Sequence, residues 1–308
     1  MCEKKQTPNF EPLKLSGIKQ KDKVAEIMEK LKEGLDSVFT SENYLNYLKV
    51  LSKFPNYSFN NCLLISMQMP DATLVKGYRA WQKDFGRYVK KGERGIKIIA
   101  PTPYSVTVEV DSTDKAGNKL KDADGNQLKT EKQVDYMGFR VVTVFDISQT
   151  DGKDLPLLPE IRLEDEVEYF ESLFQALVNF SPVPVSVEPI QGRAMGYFSH
   201  VEQRIVIREG ESELQMIKTL IHELAHAMLE EHQKDLSREA KEVEAESCAF
   251  AVCYYLGLDT SEYSFDYISY WSSSRKEQEL KEHLDIIQTT VVEILDGLKE
   301  SGFVKNIA

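Results

Sequence analysis

The chain has 308 residues, of which 42% are apolar and 29% charged, the balance of a folded globular protein and not of a disordered one. No apolar run approaches the roughly 20 residues that span a bilayer, and the opening MCEKKQTPNFEPLKLSG lacks the apolar middle of a signal peptide, so a cytoplasmic protein with no membrane partner is expected. The net charge of −12 conceals two unlike halves: residues 1–150 carry 24 Lys/Arg against 19 Asp/Glu, or +5, and residues 151–308 carry 14 against 31, or −17.

Length and charge together predict two domains with separate tasks, 1–155 and 156–308, in an α+β fold. The first opens with helices: KDKVAEIMEKLKEGLDSVF places Val24, Ile27, Met28, Leu31 and Leu35 at helical spacing, and SENYLNYLKVLSKF does the same behind Ser41 as a candidate N-cap. A short buried segment is expected between Pro55 and Pro70. GIKIIAP and YSVTVEV then read as two strands, and DYMGFRVVTVFDI as a third. The polar stretch at 111–133, with its AGN and DGN turn signals, is expected to be a long exposed hairpin.

After the Gly152, Pro156 and Pro159 cluster the acidic half begins. EDEVEYFESLFQALVNF predicts an amphipathic helix, VPVSVEPI a strand and GYFSHVEQRIVI a hairpin. Ser212 followed by Gln215 signals the start of a helix with a buried stripe of Leu214, Ile217, Leu220, Ile221, Leu224 and Met228. Two further helices follow, one stopping near Gly257 and one running through RKEQELKEHLDIIQTTVVEILDGL. Cys2, Cys62, Cys248 and Cys253 form no C-x-x-C pair and are expected to be free thiols.

The helix that starts at Ser212 carries His222, Glu223 and His226 as H-E-x-x-H. Two histidines four apart on a helix project from one face and can share one ion, while the glutamate beside them can reach a water without binding the metal. Zn²⁺ in such a site acidifies the water; Glu223 takes the proton, the water attacks a peptide carbonyl, and the leaving amine receives the proton. A third ligand is needed. Glu246 in EVEAES is expected to supply it, with Glu242, on the same face, as the alternative ligand or a hydrogen-bond acceptor for a histidine. His200, His232 and His283 have no comparable partners in the sequence and read as ordinary surface or hydrogen-bonding histidines, although His200, on the preceding hairpin, could approach the cleft.

Residues 76–97, KGYRAWQKDFGRYVKKGERGIK, interleave cations with rings, the mixture that holds single-stranded nucleic acid through phosphate contacts and base stacking. Lys76, Arg79, Trp81, Arg87, Tyr88, Lys90, Lys91 and Arg94 are the candidate contacts. Trp81 and Phe85, four apart, also suit an ordinary core stripe.

The segments YSFNNCLLISMQMPDATLVKGYRAWQKDFGRYVKKGERGIKIIAP and VFDISQTDG resemble the N-terminal domain of ArdC-type antirestriction proteins and their LtrC-like relatives on conjugative elements. TLIHELAHA and EVEAESCAFAV are similar to the zincin-like metallopeptidase domain that follows it. The resemblance implies a domain that binds single-stranded DNA joined to a zinc peptidase, carried by mobile DNA and protecting it from restriction. It also implies an unknown protein or peptide substrate, and it matches His222, Glu223, His226 and Glu246 to the family's motif. The alternative expectation is a binding protein that coats DNA, or mimics it with the −17 half, around a zinc ion that serves only the fold.

Overall fold

The structure, a computed structural model, describes residues 10–112, 119–121, 127–153, 155, 167–230, 232, 235–258, 260, 262, 263, 265, 266, 268–273 and 275–303. Cys2 and all of residues 156–159 lie outside them, as do 113–118 and 122–126 of the 111–133 stretch. The fold is mixed α+β. No helix is long and apolar enough to cross a membrane among the described residues.

Helices α1 (Gln20–Val38) and α2 (Ser41–Lys53) bury the expected stripe of Ile27, Leu31 and Leu35, while Met28 stays half exposed on its flank. The N-cap of α2 is Thr40, whose side chain accepts from the Asn43 amide. That frees Ser41, expected in the role, to donate from its hydroxyl to the Phe265 carbonyl at 3.1 Å. The short segment between the prolines is a helix, α3 (Phe59–Gln68), buried on most of its surface by Cys62, Leu63, Leu64 and Ile65.

Strand β1 (Val75–Gly77) leads directly into α4 (Tyr78–Phe85), and Gly86, at φ 62°, turns the chain into β2 (Arg87–Val89). The two strands expected at GIKIIAP and YSVTVEV are one, β3 (Ile96–Asp111), which pairs antiparallel with β4 (Lys129–Asp146) from Ile96↔Val144 to Asp111↔Lys129. Pro101 and Pro103 do not break it because β3 is an edge strand of the order β1-β4-β3, where a missing N–H costs no ladder bond. The ribbon's root, with Ile96, Ile98, Ile99, Val141 and Val144, is buried, and its outer part projects with both faces exposed. The Asp146 carboxylate ties the root by accepting from the amides of Thr73, Leu74 and Ser148. A short β5 (Thr150–Gly152) pairs with β2.

The second half begins with α5 (Val167–Phe180). A small sheet of β6 (Val185–Glu188), β7 (Gly196–Ser199) and β8 (Arg204–Arg208) follows in the order β6-β8-β7, with β6 parallel and β7 antiparallel to β8. Four helices complete it: α6 (Glu213–Leu229), α7 (Arg238–Tyr255), the short α8 (Ile268–Ser273), which periodicity does not predict, and α9 (Glu277–Glu300). Helix α6 lies close on β7, because a Cβ on Gly196 would stand 2.5 Å from the Thr219 methyl and 2.9 Å from the Val206 carbonyl.

The two halves share one apolar core. Helix α7, buried along Val243, Ala245, Cys248, Ala249 and Val252, packs against α6 and α9 from its own half and against α2 from the other. Buried polar contacts cross the same seam: the Tyr44 hydroxyl meets Ser247 Oγ at 2.8 Å, and Ser269 Oγ donates to the Phe39 carbonyl at 2.7 Å.

Candidate metal centre

Helix α6 starts where the Ser212 hydroxyl accepts from the Gln215 amide, and its apolar stripe of Ile217, Leu220, Ile221 and Leu224 is fully buried. With that stripe fixed, His222 and His226 stand one turn apart on one flank of the helix, and His222 lines a cleft. Their Nε2 atoms are 3.2 Å apart, with the rings nearly perpendicular. Helix α7 begins at Ser237, whose side chain accepts from the Ala240 amide, so its first turns face α6. Glu242 Oε2 then lies 3.5 Å from His222 Nε2 and 3.8 Å from His226 Nε2.

These three donor atoms fit a metal. For ligands at about 2.0 to 2.1 Å around a tetrahedral ion, the edges between donors are roughly 3.3 Å. The observed edges are 3.2, 3.5 and 3.8 Å. The two Nε2 atoms face each other, so with both rings in the Nδ1–H tautomer their lone pairs converge on one point that a shared cation can occupy. Of the two carboxylates expected as third donor, the structure thus brings Glu242, rather than Glu246, to the imidazoles. Glu246 is one turn further along α7 and lines the cleft beside His222 and Glu223.

The charges in the site are strongly interdependent. The imidazole of His222, and next that of His226, hold the Glu242 carboxyl far below the usual carboxylate range. Burial disfavours a charged His222, but Glu242, Glu223 and Glu246 outweigh it, and its pKa is raised. Burial raises Glu223, against the pull of His222, His226 and the Phe198 amide, which donates to its carboxylate from β7. Glu246 is raised as well, chiefly by burial. The cleft, of about 310 Å³, is walled by Met195, Gly196, Gln215, Thr219 and Tyr263. It also holds Lys218, whose buried side chain reaches Glu262 at 3.2 Å.

His200 stays away from the metal donors, its Nδ1 3.0 Å from Glu230 at the far end of α6. His232 and His283 do have partners that the sequence does not show: both approach the fully buried Glu244 carboxylate, His283 from α9 at 2.6 Å and His232 from the turn after α6 at 3.3 Å. No local spacing announces this second cluster, since His283 is 39 positions from Glu244.

In the basic half the candidate contacts divide. Trp81 is fully buried and its indole N–H donates to the Phe145 carbonyl at 2.8 Å, so it belongs to the core and presents no face to a base. Arg87 is also buried, its guanidinium donating to Thr150 Oγ1 and to the carbonyls of Thr150, Gly152 and Lys153, which removes it from contact with phosphate. Arg79, Tyr88, Lys90, Lys91 and Arg94 are exposed and Lys76 half-buried. Beyond them, the projecting ribbon exposes Tyr104 and Tyr136, stacked at 5.7 Å, together with Met137 and Phe139. Sequence alone does not single out these rings, because strand alternation normally points such residues at a core.

Residues 19–145 match the N-terminal domain of anti-restriction factor ArdC, and residues 179–259 match the IrrE N-terminal-like domain of the M78 peptidases. An uncharacterised Bacillus anthracis protein is 29% identical over 291 residues, 85% of this chain and 49% of the relative, so the chain spans about half the length of that protein. Among solved structures, the metal-free antirestriction protein ArdC from the R388 plasmid is similar at 18% identity and a TM-score of 0.46, covering 79% of this chain and 86% of that one. The Mn(II)-bound structure of the same protein is similar at 17% and 0.45, over 82% and 86%. The chain thus joins a region similar to the ArdC N-terminal domain, residues 19–145, to a region similar to the IrrE N-terminal-like domain of the M78 peptidases, residues 179–259.

Proposed function

We propose that this protein is a zinc-dependent peptidase of the antirestriction type, whose N-terminal half binds single-stranded DNA. The observation that carries the peptidase reading is the convergence of His222 Nε2, His226 Nε2 and Glu242 Oε2 within 3.8 Å of one another, with His222 and its neighbour Glu223 lining an open cleft. Two imidazoles and a carboxylate are the donors zinc takes in hydrolytic sites that keep a position open. Zinc bound there supplies Lewis acidity, polarising a carbonyl and acidifying a water.

The remaining work falls to the chain itself. Glu223, nine-tenths buried and oriented by the Phe198 amide, accepts the water's proton and returns it to the leaving amine. Burial raises its affinity for the proton, which suits a group that must first take it and then give it up. Glu246 lines the same cleft and adds negative charge that favours cation binding. A peptide reaching Glu223 passes between Gly196 on β7 and Tyr263.

For DNA, support comes from the exposed cations Arg79, Lys90, Lys91 and Arg94 around the exposed rings of Tyr78 and Tyr88. The experiment that tests the whole reading is protection of incoming DNA by a Glu223→Gln variant. Retained metal with lost protection and lost peptide hydrolysis is expected. Full protection by that variant would instead make the protein a non-catalytic binder.

A further inference from the structure

Glu242 and Glu244 are two residues apart on α7 and therefore face different sides of the helix. Glu242 faces His222 and His226, whereas Glu244 points inward with no solvent exposure. Two imidazoles converge on one of its oxygens: Nδ1 of His283, from α9, and Nε2 of His232, from the turn after α6. All three donor atoms lie within 4.8 Å of one another. The other nitrogen of His283, Nε2, faces Glu279 Oε1 at 4.0 Å, and the ring of Trp271 packs against the imidazole at 5.1 Å.

A carboxylate removed from water is unfavourable unless its charge is compensated, and a divalent ion held by the same three donors supplies such compensation. Two imidazole nitrogens and a carboxylate oxygen are again the donor set of a borderline divalent ion. A second carboxylate facing the non-coordinating nitrogen of a histidine is the outer arrangement that fixes a metal-binding ring. His232 is partly exposed, so an ion has a route in from solvent.

We propose that His232, Glu244 and His283 form a second divalent-cation site, structural in role and separate from the cleft. The ion replaces the proton shared between His283 Nδ1 and the Glu244 carboxylate; the Nε2 proton stays on the ring toward Glu279, and the displaced proton goes to solvent. The 2.6 Å contact then opens toward the roughly 3.3 Å edge of a tetrahedral site. The ion would join the α6–α7 turn, α7 and α9. Since α6 and α7 carry His222, His226 and Glu242 on their other faces, it sets how closely Glu242 approaches the two imidazoles.

The test is zinc stoichiometry on the full chain, stripped with chelator and then titrated with zinc sulfate. Wild type should take up two equivalents and release protons, and His232→Ala should take up one. His222→Ala should also take up one, and the double variant none. His232 is the residue to change because it sits on a turn, and matching melting temperatures of metal-free wild type and His232→Ala confirm that the fold survives. Zinc should raise the melting temperature of His222→Ala and leave that of the double variant unchanged. One equivalent in wild type, kept in His222→Ala and lost in His232→Ala, would support this site while removing the ion from the cleft. Uptake by wild type that His232→Ala leaves unaltered, or no uptake by His222→Ala, overturns the proposal.

Discussion

The hydroxyl of Tyr44, on α2, donates to Ser247 Oγ at 2.8 Å in the buried seam, while Ser247 itself donates to the Val243 carbonyl one turn back. Tyr44 belongs to the basic half, and Ser247 directly follows Glu246 at the cleft. Helix α7 thus takes part of its support from the other half of the chain. Residues 156–308 expressed alone should fail to fold, seen as loss of cooperative melting. Tyr44→Phe in the full chain should cost about 1 kcal/mol, the net worth of one buried hydrogen bond.

Trp81 and Tyr88 should separate stability from binding. Trp81→Ala empties a fully buried site and should destabilise the chain by about 3–5 kcal/mol. Tyr88→Ala should leave melting nearly unchanged and weaken single-stranded DNA binding by about 1–3 kcal/mol if the ring stacks on a base. Fluorescence anisotropy at several salt concentrations reads the second effect. A response that is flat with salt would exclude phosphate contacts by Lys90, Lys91 and Arg94.

The third donor is distinguished by metal retention. Glu242→Ala should lower zinc affinity at the cleft about 100-fold or more, measured by competition with a chromogenic chelator. Glu246→Ala, whose carboxylate is not the one against the imidazoles, should lower it by less. The reverse order would return the ligand role to Glu246.

The buried thiols predict alkaline lability. Burial pushes Cys62 and Cys253 from 9.0 up to about 12, and Cys248 upward as well. Each thiol therefore keeps its proton in the folded chain at a pH where the unfolded chain has lost it. The stability this represents is complete below about pH 9 and is lost as pH rises toward about 12. Denaturant midpoints should fall over that window. The same thiols should resist iodoacetamide at pH 8 until the protein unfolds.

The sequence made the helices and the H-E-x-x-H face legible because both rest on spacing within one element: Ile217, Leu220, Ile221 and Leu224 fix which side of α6 is buried, and His222 and His226 follow from it. What it could not reveal depends on how elements meet. Whether Glu242 or Glu246 faces the imidazoles is set by the rotation of α7 against α6, and both residues share one helical face. Trp81 suited a core stripe and a stacking platform equally until the partner carbonyl of Phe145, 64 positions away, was in place. The His232, Glu244 and His283 cluster joins three segments with no local period at all.

Anomalous diffraction at the zinc edge, on crystals of the zinc-loaded protein, tests the central claim most directly. The account predicts a peak about 2.0 to 2.1 Å from Nε2 of both His222 and His226 and bonded to a Glu242 oxygen, with solvent completing the coordination next to Glu223. No peak between those imidazoles, or a fourth side chain in place of the solvent, would contradict hydrolysis at this cleft.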